Sequence, residues 1–174
     1  TVEELPKMWP GKQFDLVLCH CTIEYIADEA MAFRNLDLLL KDEGFLSVVV
    51  PNHEGHPLRF GSRGMLKQAV EALTAPKLDP DLAFGVQRRP YDLATLSARL
   101  RNYESASIYG QRIVADVMPE AILNDDYGGV LALETSMGAL EIYRRLGRFL
   151  HFIGQNPGNA DLAKTTVRRP PPPR

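Results

Sequence analysis

Cysteine is scarce: the 174-residue chain holds two, Cys19 and Cys21, on either side of His20. Two cysteines so close together do not make a disulfide framework, and a reducing, cytoplasmic compartment is expected. No apolar run approaches the roughly 18 residues of a membrane-spanning helix. No basic stretch followed by an apolar one marks a signal peptide, so no membrane partner is expected. There is no internal repeat. A phosphate-cradling loop ending in Gly-Lys-Ser/Thr, a Gly-X-Gly-X-X-Gly turn and a Gly-X-Ser-X-Gly elbow are all missing. Gly61-Ser62-Arg63-Gly64 has neither the spacing nor the preceding strand of such an elbow. What is present is ordinary for a globular chain, with 45% hydrophobic and 24% charged residues. That composition excludes collagen, coiled coil and wholesale disorder. At about 150 residues per domain the length fits one domain.

The net charge of -2 hides an asymmetry. Residues 1–57 hold 4 basic and 10 acidic side chains, whereas residues 58–174 hold 16 and 12. The basic excess is mostly arginine, which suits paired hydrogen bonding to carboxylate or phosphate.

Phe14–His20 is a nearly continuous apolar run of the kind found in a strand buried on both faces of a parallel sheet. Asp28 is a helix cap, and Ala30, Met31, Phe33, Leu36, Leu39 and Leu40 recur at helical spacing, with Gly44 as the stop. Phe45–Val50 is a second buried strand ended by Pro51, so residues 14–50 read as strand–helix–strand with parallel strands. Asn52–Ser62 reads as a loop, 65–73 as a helix, and 74–91, with Pro76, Pro80, Gly85 and Pro90, as a long irregular segment. Asp92 caps a helix reaching about Leu100; 105–116 is a strand, 121–145 is mostly helical, and 149–154 is a last strand. Residues 156–174 end in Arg-Arg-Pro-Pro-Pro-Pro-Arg and read as a disordered or polyproline tail.

Ligands of open α/β sheets bind beyond the carboxyl ends of the strands. Cys19 to Tyr25 and Pro51 to His56 sit there. On a strand Cys19 and Cys21 share a face and His20 points the other way, which does not make a zinc knuckle. His53, Glu54 and His56 lie in a loop without helical i, i+4 placement, so no metal is expected. His20 is expected to contact a ligand by its position.

Phe14 to His20 followed by Ile23-Glu24-Tyr25-Ile26-Ala27-Asp28 resembles the fourth strand and following loop of class I S-adenosylmethionine-dependent methyltransferases. Leu38 to Ser47 is similar to that family's next helix, turn and fifth strand, with Asp42 and Glu43 replacing Pro and Gly of the usual Lys-Pro-Gly-Gly turn. Further along, the chain holds in order Asn52, Leu58-Arg59, Tyr109 to Asp116, Leu133-Glu134 and Leu146 to His151. That succession resembles the tRNA 5-carboxymethoxyuridine methyltransferase group, over roughly residues 14–155. The Gly-rich loop and acidic residue with which the family mainly holds its cofactor have no counterpart here.

The resemblance implies an α/β fold, the C-terminal half of a Rossmann-like sheet with about four strands and its N-terminal strands absent. Residues 1–155 would be a partial methyltransferase domain and 156–174 a Pro/Arg-rich tail. Thr1, in place of Met, agrees with a chain cut from something longer, or with a broken gene product. S-adenosylmethionine is the implied cofactor, with His20 against it, and tRNA the implied partner. Arg59 and Arg112 are the candidates for binding the acceptor carboxylate. That carboxylate is already ionised at neutral pH, so no catalytic side chain is assigned. Glu24 and Tyr25 would close the cofactor side. Asp116, Glu134, Arg148 and His151 would mainly hold the sheet and the substrate face together. Arg88, Arg89, Arg144, Arg145 and the tail's Arg168, Arg169 and Arg174 are candidates for RNA phosphates. A small-molecule methyltransferase of the same class, and an inactive remnant that binds a partner, are the alternatives.

Overall fold

The computed structural model describes residues 2–11, 14–75 and 85–158. The expected irregular segment therefore lies partly outside the described residues, and so does the tail from 159 on, with Arg168, Arg169 and Arg174. Four strands are described: β1 (Phe14–His20), β2 (Leu40–Pro51), β3 (Glu104–Gln111) and β4 (Phe149–Gln155). Among them run α1 (Leu5–Met8), α2 (Glu29–Leu39), α3 (His56–Ser62), α4 (Leu66–Thr74), α5 (Leu93–Arg99), α6 (Glu120–Asp125), α7 (Tyr127–Ala139) and α8 (Glu141–Arg144).

The strands form one sheet in the order β1-β2-β4-β3. β1 and β2 are parallel, as the intervening helix requires, whereas β4 is antiparallel to both of its neighbours. Asp28 caps α2 by accepting from the Met31 N–H at 2.9 Å, and Asp92 caps α5 through the Thr95 N–H at 2.6 Å.

α2 ends at Leu39, within one residue of the Leu40 that its periodicity gave, but β2 begins at once, at Leu40 instead of Phe45. Leu40 is extended and wholly buried in the sheet, so burial decides its conformation over helical periodicity. Residues 56–62, read as loop from their Gly and Pro content, form α3. Pro57 stands in its first turn, where a missing N–H costs no hydrogen bond.

One face of the sheet is the core. Val17, Cys19, Leu46, Val48, Val50, Leu150, Phe152 and Ile108 gather there with Phe33, Leu36 and Leu39 of α2 and Leu93 and Leu96 of α5. Register places Leu16, Leu18 and His20 of β1, Phe45, Ser47 and Val49 of β2, His151 and Ile153 of β4, and Tyr109 and Gln111 of β3 on the opposite face. There Leu16 and Leu18 are 54% and 60% exposed. β1 is thus buried on one face only, contrary to its apolar run. The packed helices α2 and α5 cover only the side bearing Val17 and Cys19.

Candidate functional site

His20 ends β1 and is exposed. Its Nε2 lies 2.8 Å from the Ser47 hydroxyl on β2. The same hydroxyl lies 2.8 Å from His151 Nε2 on β4, and Gln111 Nε2 on β3 lies 3.0 Å from His151 Nδ1. A polar chain therefore crosses all four strands on the face opposite the core. The two imidazoles meet edge to face, with centroids 5.6 Å apart. Burial, and then the neighbouring His20, pull the His151 pKa below its usual value. Beside His20, burial and then the Glu24 charge push the buried Cys19 thiol up to about 11, and the same two causes raise Cys21. Neither thiol is primed as a nucleophile. Among the described residues no group of His, Cys, Asp and Glu side chains could hold a metal ion.

Three arginines converge on Asp116, whose side chain is 3% exposed. Arg112 Nη2 is 2.6 Å from Oδ1, while Arg59 Nε and Arg148 Nη1 are 3.5 and 3.6 Å from Oδ2. Arg112 directly follows β3 and Arg148 directly precedes β4, so the cluster stands at the same end of the sheet as His20. Burial lowers the Arg148 pKa. Asp116 opposes that shift, and Arg112, Arg63 and Arg88 add to it. Arg148 and Arg88 also act on Cys21, which links the cluster electrostatically to the β1 terminus. Arg59 and Arg112, singled out from the sequence as candidates for an acceptor carboxylate or as ion-pair arginines, share one buried carboxylate of the chain itself. Sequence reasoning missed that partner role of Asp116.

The surrounding loops are fixed from inside. Glu134 on α7 accepts from the backbone N–H groups of Ile113, Val114 and Ala115 at 3.0, 2.8 and 2.7 Å. Arg112 opens this loop at φ +56°, a left-handed conformation that the three bonds hold in place. Buried Glu29 accepts from the Tyr91 hydroxyl at 2.8 Å and pairs with Arg99 at 3.2 Å and Arg89 at 3.7 Å. The Arg89 guanidinium also donates to the Ile26 and Ala27 carbonyls. It straps the segment after β1. Arg145 pairs with Glu54, and Arg144 donates to the Ala139 carbonyl. His53 faces Asp92 at 3.5 Å, and buried His56 packs edge-on against Phe60. Tyr25 and Glu24 follow β1 in a short helical turn, Glu24 buried.

No family model matches the chain. The tRNA 5-carboxymethoxyuridine methyltransferase of Escherichia coli K12 is 27% identical over 153 residues, which are 84% of this chain and 56% of that enzyme. Its counterpart in Escherichia coli O157:H7 is 26% identical over the same shares. A SAM-dependent methyltransferase structure from Thermotoga maritima superposes with a TM-score of 0.51 at 17% identity, over 90% of this chain and 61% of that one. Another from Archaeoglobus fulgidus gives 0.50 at 13%, over 89% and 65%. The chain is similar in sequence to the tRNA 5-carboxymethoxyuridine methyltransferases and shares the fold of SAM-dependent methyltransferases. It spans a little over half the length of the curated relatives it matches. The four-stranded mixed sheet is the methyltransferase architecture expected from the sequence. No helix among the described residues is long and apolar enough to cross a membrane.

Within that methyltransferase frame, two residues of the polar chain were not singled out from the sequence. Ser47 carried a signal, the lone hydroxyl inside Phe45-Leu46-Ser47-Val48-Val49-Val50. Gln111 carried none, being one polar residue among several at the end of a strand.

Proposed function

We propose that this chain forms the acceptor-facing part of an S-adenosylmethionine-dependent methyltransferase that turns the carboxylate of a modified wobble uridine in tRNA into its methyl ester, in the cytoplasm. The observation carrying this reading is the arginine cluster. Arg59, Arg112 and Arg148, with Arg63 and Arg88 within electrostatic reach, gather around one buried carboxylate at the end of the sheet where His20 stands. Such surplus positive charge attracts an anionic acceptor and the phosphates beside it.

The residues present fit one wall of a cofactor site. His20 is exposed at the end of β1, and the segment behind it is strapped by Arg89 and Glu29. S-adenosylmethionine, when bound, supplies an electrophilic methyl group. His20 would face it, and Tyr25 and Glu24 would close that side. Arg59 and Arg112 would hold the acceptor carboxylate in a paired geometry, Asp116 keeping both guanidiniums in place. The acceptor is an anion at neutral pH, and no side chain is needed as a base. Orientation is then the main contribution of these residues to rate.

The test is transfer of labelled methyl to tRNA bearing 5-carboxymethoxyuridine, using the whole reading frame that contains this chain, with cofactor binding followed by calorimetry. A base-labile methyl ester on the wobble nucleoside is expected, and Arg112→Ala should lower kcat/KM by about 100-fold, equivalent to roughly 2.7 kcal/mol. Methylation of a small carboxylic acid without methylation of tRNA would assign a small-molecule acceptor. No cofactor binding would leave a partner-binding remnant.

A further inference from the structure

The polar chain on the face opposite the core has a direction. Gln111 donates from its amide Nε2 to His151 Nδ1 at 3.0 Å. A neutral imidazole has one N–H, so an accepting Nδ1 leaves the proton on Nε2. His151 then donates from Nε2 to the Ser47 oxygen at 2.8 Å. Ser47 has one hydrogen to give, and His20 Nε2, 2.8 Å away, receives it. His20 accepts at Nε2, so its own proton sits on Nδ1. Among the described residues no other hydrogen bond to the His20 ring is seen. The ring is exposed at the carboxyl end of β1.

Each link is constrained. Ser47 is 4% exposed, and both of its close polar neighbours are imidazole nitrogens. The His151 pKa is lowered by burial first and by His20 next, which favours the neutral ring that the direction requires. Gln111 sets the polarity of the whole chain. A group that could only accept at its position would reverse every bond as far as His20.

We propose that Gln111, His151 and Ser47 are positioning residues of a tautomer relay that fixes His20 as its Nδ1–H form and offers that N–H as a donor to an anionic oxygen bound at the carboxyl end of β1. The nature of the bound anion rests on the methyl-transfer reading; the tautomer does not. A fixed donor binds a carboxylate oxygen without first having to move its proton from the other ring nitrogen.

The test is a long-range proton–nitrogen NMR correlation on the whole reading frame that contains this chain, with nitrogen-labelled histidine. It is recorded at about pH 8.5, roughly two units above the ordinary histidine value. His20 is expected as a single Nδ1–H tautomer and His151 as Nε2–H. Gln111→Glu offers only an acceptor, and His20 should switch to Nε2–H. Ser47→Ala cuts the relay, and His20 should average like a solvated imidazole while His151 keeps its form. The backbone amide spectrum reports whether each variant is folded. An averaged His20 in the parent chain, or a His20 unmoved by both substitutions, overturns the relay. Titration with S-adenosylhomocysteine and, separately, with 5-carboxymethoxyuridine nucleoside asks which carboxylate takes the donor, by displacement of the Nδ1–H signal. Displacement by neither overturns the donor role. Failure of methyl transfer with the tautomer pattern intact would count against the proposed activity alone.

Discussion

Asn52 donates its side-chain amide to the Gly147 carbonyl at 2.7 Å, and that same carbonyl lies 2.4 Å from where a side chain at Gly55 would begin. Wholly buried Asn52 also donates to the Arg145 carbonyl at 2.8 Å and accepts from the Glu54 N–H at 3.1 Å. One side chain thus locks the end of β2 to the turn that delivers Arg148. Asn52→Ala would bury two carbonyls without partners and is expected to cost about 2–4 kcal/mol. Gly55→Ala should destabilise comparably, since backbone must move to admit it. Urea midpoints that stay at the parent value in both variants would remove this lock.

Glu134 and the loop 113–115 allow a finer comparison. Oε1 serves Val114 and Ala115, and Oε2 serves Ile113. Glu134→Gln keeps one acceptor oxygen and turns an amide N–H₂ toward a backbone N–H. A loss of about 1–2 kcal/mol is expected, rising to about 3 kcal/mol in Glu134→Ala. Equal urea midpoints for the two variants would mean that the bonds to the backbone do not hold the loop.

Asp116→Ala should separate stability from anion binding. Removing the buried carboxylate leaves three guanidiniums facing one another, at a cost of roughly 2–3 kcal/mol because solvent reaches the arginines. The same change removes a negative charge from a cationic patch. Binding of RNA at low salt, read by fluorescence anisotropy, is expected to strengthen while the unfolding midpoint falls. Weaker binding by a variant that remains folded would show that Asp116 orients the arginines more than it neutralises them.

Acid should loosen the sheet. The folded-state pKa of His151 lies below its unfolded value of about 6.5, so the unfolded chain takes up the proton more readily. The stabilisation from keeping His151 neutral is present above about pH 6.5 and is lost as the pH falls through the lower folded value. Urea unfolding between about pH 7.5 and 5 should show stability decreasing with pH, by no more than about 1.4 kcal/mol per unit from this group. A slope of the same size in His151→Gln would assign the effect elsewhere.

The local parts of this arrangement were legible in the chain. Asp28 and Asp92 announce their helices because a cap is written within four residues of the N–H it serves. The parallel pairing of β1 and β2 follows from the helix between them. What could not be read is what the sheet brings together from afar. Ser47 meets His20 across 27 residues and His151 across 104, and Arg59 meets Asp116 only through the placement of α3. The lone hydroxyl in an apolar run marks Ser47 as unusual, but its neighbours in sequence do not name the two imidazoles it joins. The exposure of Leu16 and Leu18 was equally hidden, because an apolar run does not say which of its faces is covered.

β4 is the latest in sequence of the described strands, yet it lies between β2 and β3. During synthesis β2 and β3 therefore emerge with no direct pairing available between them. β1, α2 and β2 can associate first, and β3 must wait until residues 149–155 arrive to join it to the rest. Until then one long border of β2 offers its unpaired amides and carbonyls to any neighbouring chain. The hydrogen-bonded crossing from His20 to Gln111 needs all four strands, so it forms last, when the sheet closes.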